Sequence, residues 1–153
     1  MNWTFTVEGD PKAQPRQRHY YNKNLGHVGS YDPGTADGWK QRVSAEAIKH
    51  RPNCPLDVGL RLRIQFRFAR PASHYGTGKN AGVLKASAPK FHMVSKPDLD
   101  NLEKAVMDAL TDIRFWKDDC LVAKKETGKS WTTMRPGAEI SIEVLDPPMV
   151  EPV

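Results

Sequence analysis

Residues Leu60 to Phe68 alternate without a break. Leu60, Leu62, Ile64, Phe66 and Phe68 fall on one side, and Arg61, Arg63, Gln65 and Arg67 on the other. A period of two predicts a half-buried β-strand with an arginine-rich outer face. Weaker alternation predicts an opening strand over Trp3 to Val7, and Ile140, Ile142 and Val144 predict a closing strand over Glu139 to Leu145. A further short strand is expected near Leu121 to Lys125. Two segments carry the helical period instead. Trp39, Val43, Ala47 and Ile48 predict a helix from about Asp37 to His50, with Asp37 as its cap and Pro52 and Pro55 beyond its end. Leu102, Ala105, Val106, Ala109, Leu110 and Ile113 predict the buried face of a second helix, from about Leu99 to Ile113 and opened by Pro97-Asp98.

The segments between these elements are long. Residues 9 to 35 are rich in Gly, Pro, Asn and Tyr and read as one loop. Residues 69 to 97 show no firm period, and loops of that length inside a compact domain are usually functional or disordered. This one reads as mobile when unbound and ordered on a partner. The expected architecture is a single α/β (α+β) domain over residues 1–146, with a mixed sheet of about four strands, two main helices and long basic loops. A proline-rich tail follows over 147–153.

Composition narrows the class. The chain has 153 residues, 39% hydrophobic and 27% charged, the balance of one globular domain with a real core. No apolar run approaches the roughly 20 residues of a membrane span. The N-terminus lacks the pattern of a secretion signal, so a cytoplasmic protein is expected. Two cysteines, Cys54 and Cys120, are too few for a disulfide framework, and Cys120 is expected to be a small buried residue at a strand start.

The net charge of +5 matters less than its distribution. Val58 to Pro97 contains no Asp or Glu but carries Arg61, Arg63, Arg67, Arg70, Lys79, Lys85, Lys90 and Lys96. Residues 11 to 31 repeat the pattern with Lys12, Arg16, Arg18 and Lys23. These cations are candidate phosphate contacts, and a polyanion such as DNA is the expected partner. A solvated basic surface is the plainer alternative.

The sign then reverses. Lys96-Pro-Asp98-Leu-Asp100-Asn101-Leu-Glu103-Lys104 is followed by Asp108 and by Trp116-Lys-Asp118-Asp119. Asp100, Lys104 and Asp108 are spaced by four and share a helix face. If the turn at Asp118-Asp119 folds back on the helix, several carboxylates meet. Carboxylates that close repel one another unless a cation neutralises them. Magnesium takes such hard oxygen ligands with water and phosphate, and generates a nucleophilic hydroxide. Lys104 could offset charge on the phosphorane or position the attacking water. Each residue also has a bland explanation: Asp98 as a helix cap, Asp100/Lys104 as a surface pair, Asp118-Asp119 as a turn.

Other features carry less. Ala123 to Ser130 loosely matches a phosphate-loop pattern but lacks its first glycine and is followed by Trp131-Thr132-Thr133 rather than a helix. Phe115 and Trp116 read as core anchors of the turn, with stacking on an unpaired base as the alternative. The five histidines show no ligand spacing, which argues against zinc.

The pattern Asp98-x-Asp100-Asn101-x-x-Lys104, continued by Trp116-x-Asp118-Asp119, resembles the RusA family of Holliday junction resolvases. The long basic insertion before Lys96 is similar to that of phage-type members. The resemblance implies a dimeric, magnesium-dependent endonuclease, manganese serving as a substitute, that resolves four-way DNA junctions by paired nicks. It places the catalytic and metal-holding carboxylates at Asp98, Asp100 and Asp119, the essential lysine at Lys104, and a further acidic position at Asp118. A noncatalytic DNA-binding module and a small-nucleotide phosphohydrolase remain the rival readings.

Overall fold

The computed structural model describes residues 1–145; the proline-rich tail lies outside the described residues. Six strands and two helices follow in the order β1 (Asn2–Glu8), β2 (Arg18–Asn22), β3 (His27–Tyr31), α1 (Asp37–Ile48), β4 (Leu60–Ala69), α2 (Leu99–Asp112), β5 (Val122–Thr132) and β6 (Gly137–Val144). The main sheet has the order β1-β6-β4-β5. Its β1–β6 and β6–β4 pairs are antiparallel, and β4 and β5 are parallel. A mixed four-stranded sheet with two helices in an α+β arrangement is therefore what the periodicities led one to expect.

The core forms where the alternating strands meet the two helices. Leu60, Leu62, Ile64 and Phe66 of β4, Ile140 and Ile142 of β6, and Phe5 and Val7 of β1 are buried with Trp39, Val43 and Ala47 of α1. Leu102, Ala105, Val106, Ala109 and Leu110 of α2 complete the cluster. Because side chains alternate across a strand, Arg61, Arg63, Gln65 and Arg67 lie on the sheet face turned away from the helices. Gly137 is required where β1 meets β6: a Cβ there would sit 2.2 Å from the Val7 carbonyl oxygen.

Several details correct the expectations. The 9–35 segment is not one loop, because β2 and β3 form an antiparallel hairpin from Arg18/Tyr31 to Asn22/His27. Asn22 accepts backbone N–H bonds from Asn24 and Leu25, which closes the turn locally. Ala36, not Asp37, occupies the cap position of α1, and Ile48 is half exposed. β5 reaches Thr132, far beyond Lys125, because it pairs along the whole of β4; the pseudo-phosphate-loop segment is strand. Cys120 is exposed, in the 3₁₀ turn Asp119–Leu121 before β5. Phe115 and Trp116 are fully buried, which removes them as base-stacking groups; the Trp116 indole N–H donates to Thr111 Oγ1 at 2.7 Å.

The 69–97 segment follows a defined path along the outer edge of β5. Met93 N–H donates to Lys129 O, and Trp131 N–H to Phe91 O, at 3.2 and 2.9 Å. Arg70 donates to the carbonyls of Pro89 and Lys90, and Met93 is buried. These bonds give partners to backbone groups on the outer edge of β5 that would otherwise lack them. Among the described residues, no helix is long and apolar enough to cross a membrane.

The buried turn after α2 gives a direct test. Phe115→Ala should cost about 3–5 kcal/mol of stability, the usual cost of emptying a packed aromatic site. Chemical denaturation measures it.

Candidate active site

α2 is the crossover between the two parallel strands, and its start is held from β5. Lys129 Nζ donates to the carbonyls of Ser95 and Pro97 at 2.6 and 2.7 Å. Lys125 pairs with Glu103 at 2.9 Å, and the Thr127 hydroxyl donates to the same carboxylate. Glu103 is thus an anchor of the helix on β5. These contacts set where the acidic motif begins.

Asp98 occupies the N-cap position of α2, but its side chain makes no capping bond. Its carboxylate instead faces Lys96 at 3.4 Å and stays exposed. Asp100 Oδ1 accepts from the Asn101 N–H at 3.0 Å. Lys104 pairs with Asp108 at 3.5 Å, one turn further along the helix, so the Lys104 pair runs toward the helix C-terminus. Neither the capping role for Asp98 nor the Asp100–Lys104 surface pair is what these side chains do.

The turn at Asp118-Asp119 does return to this helix face. Asp118 Oδ1 accepts from the Cys120 N–H at 2.9 Å, which makes Asp118 the anchor of the turn. That bond lowers the Asp118 pKa below the ordinary carboxylate value. Asp119 is raised: first by its hydrogen bond with Asp118, then by burial and by the charges of Asp118 and Asp108, with Lys104 opposing. The Cys120 thiol is also pushed up, chiefly by its hydrogen bond to Asp118, so it is a poor nucleophile. Asp119, Asp108 and Lys104 therefore form one electrostatic group beside α2.

The acidic groups are strung along the helix, not closed into a bowl. Asp100 and Asp108 are eight residues apart, which is ~12 Å of helix axis. Among the described residues, no three His, Cys, Asp or Glu side chains close into a group that could hold a metal by themselves. The donor chemistry nonetheless suits a hard divalent cation. The donors are carboxylates, the Asp98 side chain makes no capping bond, and Asp119 stands against the like charges of Asp118 and Asp108, which a cation would relieve. Magnesium commonly uses one or two carboxylates and fills the rest with water and phosphate oxygens.

A cavity of about 620 Å³ opens beside this face, lined by Gln14, Arg16, His19, Lys40, Asn101, Lys104 and Asp108, among others. The N-terminal loop thus delivers Arg16 to the site. Arg18 begins the adjoining hairpin and Lys23 lies at its turn. Lys12 lies elsewhere, in a second cavity with Arg42 and Arg135. Lys79, Lys85 and Lys90 are exposed on the 69–97 segment. Arg61 and Arg63 are bound to Glu143 and Glu126 at 2.9 and 3.0 Å on the far face of the sheet, and Arg67 shares that face. Arg70 is spent on backbone carbonyls. The four arginines of this strand region are thus remote from the site or already partnered.

Gln14, Lys40 and Lys129 were not legible as site residues. Lys40 stands on α1 and Lys129 on β5, where an isolated lysine in a polar position carries no signal of what it meets.

A helix that carries Asp98 and Asp100 at its start and presents Lys104 and Asp108 to a cavity shared with Arg16 and Lys40 suits the hydrolysis of phosphodiesters in a polyanionic substrate. The family model for Endodeoxyribonuclease RusA matches residues 8–143. Over 133 residues the chain is 31% identical to Crossover junction endodeoxyribonuclease RusA of Escherichia coli O139:H28, covering 86% of this chain and 88% of that protein. The corresponding protein of Escherichia coli K12 is 30% identical over 130 residues, 84% of this chain and 86% of that one. Uncharacterized protein YqaN of Bacillus subtilis 168 is 31% identical over 138 residues, covering 90% and 93%. The chain belongs to the RusA family of endodeoxyribonucleases, enzymes that cut DNA phosphodiester bonds.

The raised Asp119 sets a sign for stability. A carboxyl held above its ordinary value binds its proton more tightly folded than unfolded, so its contribution is present in acid and is lost as pH rises through the folded pKa. In metal-free buffer, Asp119→Asn should therefore melt higher than the parent near pH 7, with the advantage fading toward acid. Thermal unfolding at the two pH values checks it; a lower melting temperature for the variant at neutral pH contradicts the assigned electrostatics.

Proposed function

We propose that this chain resolves four-way DNA junctions by paired, magnesium-dependent nicks, acting as a homodimer. The observation that carries the reading is the helix-borne set Asp98, Asp100 and Lys104, with Asp119 folded back beside Lys104 and Asp108. The relatives named as crossover junction endodeoxyribonucleases support the choice of junction as substrate.

In this reading Asp98, Asp100 and Asp119 hold the divalent ion, with manganese able to replace magnesium. Asp118 keeps Asp119 in place through its turn. When bound, the ion polarises the scissile phosphate and lowers the pKa of a water. The chain's own residues do the rest. Arg16 and Lys104 line the cavity and meet phosphate oxygens as the strand enters. Lys104 is 61% exposed, so its ammonium is free to move to the charge that develops on the phosphoryl oxygens. The hairpin bearing Arg18 and Lys23 and the loop bearing Lys79, Lys85, Lys90 and Lys96 extend the phosphate path on either side. Each chain carries one acidic set, and two symmetric cuts need two, so a two-fold dimer is the simplest assembly.

A purely DNA-binding module would bind junctions with or without metal and leave them intact. A small-nucleotide phosphohydrolase would act on mononucleotides. Labelled four-way junction, duplex, single strand and mononucleotide, each with and without magnesium, separate the three. Junction nicking confined to the magnesium arm is expected.

Two variants test the parts. Asp100→Asn removes one negative ligand while keeping shape, and should lower the nicking rate by about 100-fold or more. Its metal-free junction affinity should hold or tighten, because a carboxylate that repels phosphate is gone; wild-type nicking under limiting magnesium would refute the assignment. Neutralising Lys79, Lys85 and Lys90 together should weaken junction binding and flatten the plot of log affinity against log salt by up to about three phosphate contacts' worth. An unchanged slope would show that this loop lies off the DNA path.

A further inference from the structure

Gln14 joins three elements. Its backbone N–H donates to the Asn101 carbonyl at 2.9 Å, at the first turn of α2. Its side-chain Nε2 donates to Asp32 Oδ2 at 2.7 Å, and its Oε1 accepts from Lys40 Nζ at 2.9 Å. Lys40 reaches from α1 to within 4.0 Å of Asp108 Oδ2. The other oxygen of Asp108 faces Lys104 at 3.5 Å. The Lys40 and Asp108 side chains are only 20% and 28% exposed, whereas Lys104 is 61% exposed. A continuous chain thus runs from the basic N-terminal loop through Gln14, Lys40 and Asp108 to the site lysine.

The division of charge along that chain has a consequence for Lys104. Asp108 alone, one turn away on the same helix, would hold the Lys104 ammonium as an ordinary i,i+4 partner. Lys40 is a second cation on that carboxylate, it is partly withdrawn from water, and Gln14 fixes its direction. Asp108 is then oriented and partly neutralised from α1, and its hold on Lys104 is weakened. Lys104 is left near the site but able to leave its partner for a phosphoryl oxygen. We propose that Lys40, held by Gln14, is a positioning residue that keeps Asp108 from capturing Lys104. The proposal rests on the reading of Lys104 as the lysine that serves DNA hydrolysis.

Lys40→Met, Lys40→Arg and Gln14→Leu distinguish this role from its rivals. With enzyme saturating over a four-way junction, Lys40→Met should lower the single-turnover cutting rate by about 10–100-fold, the scale of a misplaced group at a reacting centre. Its metal-free junction Kd should stay within about two-fold and its salt slope should not change, because no phosphate contact is lost. Lys40→Arg should recover most of the rate. Gln14→Leu keeps every charge and should show a smaller loss in the same direction, which guards against a folding defect in the methionine variant. Nuclear magnetic resonance of the lysine ammonium groups reads the same effect without cutting: Lys104 should lose mobility in Lys40→Met as Asp108 closes on it. A normal saturated rate with weakened binding and a salt slope lower by about one would make Lys40 a phosphate contact and overturn the proposal. Unchanged Lys104 mobility in Lys40→Met would overturn it as well. Failure of the wild-type protein to cut junctions would instead count against the nuclease assignment, and the resonance measurement would still decide the role of Lys40.

Discussion

Strands β4 and β5 run parallel, and a parallel pair can be made only with a crossover that leaves the sheet and returns to it. α2 is that crossover, and most of what the molecule can do follows from how it is seated. One stripe of the helix, Leu102, Ala105, Val106, Ala109 and Leu110, is buried against the sheet and α1. Burying apolar surface at roughly 25 cal/mol per Å² makes the rotation of the helix about its axis costly to change. The opposite stripe must then face solvent, and that is where Asp100, Lys104 and Asp108 stand. The chemistry-bearing face is fixed by packing on the other side of the same helix.

The height of the helix is set separately. Lys129 binds the last carbonyls before Asp98, and Glu103 is tied to Lys125 and Thr127. Both contacts come from β5, the strand that α2 leads into. The crossover is therefore closed on itself: β5 pairs along β4 and grips the start of the helix that delivered it. The turn Asp118–Leu121 lies between them and returns Asp119 to the helix flank. Exposed aspartates on a free helix would repel and splay, but here backbone bonds and lysines at three points restrain them.

Charge is distributed to match. The acidic residues concentrate on α2 and the turn after it, and the cations concentrate on two loops that border it. The N-terminal loop is docked on α2 by the Gln14–Asn101 backbone bond, and Arg16 lines the same cavity as Lys104. The 69–97 loop is docked on β5 by the bonds of Phe91 and Met93. In the reading proposed above, DNA meets these cations before it meets the carboxylates. A nuclease that must attract a polyanion to a negatively charged centre needs that order.

The periodic parts of this fold were legible in the sequence. Alternation from Leu60 to Phe68 and the helical spacing from Leu102 to Leu110 each reflect burial of one face of one element, a property that neighbouring residues report together. The acidic motif was legible for a related reason, since Asp98, Asp100 and Lys104 lie within two turns of one helix. Tertiary structure decided what long-range geometry alone can decide. β5 extends to Thr132 because β4 offers it a partner for that length, although its own residues, with Lys, Thr, Gly and Ser, alternate poorly. Arg61 and Arg63 of β4 read as unpartnered cations until Glu143 and Glu126 are brought beside them from strands far along the chain. Phe115 and Trp116 could have been exposed stacking groups until the turn buried them. Lys40 and Gln14 gave no local sign of their role, because a lysine one helix away acquires meaning only from the carboxylate that folding sets against it. Local burial repeats along a chain and can be read there; contacts between distant residues leave no such repeat.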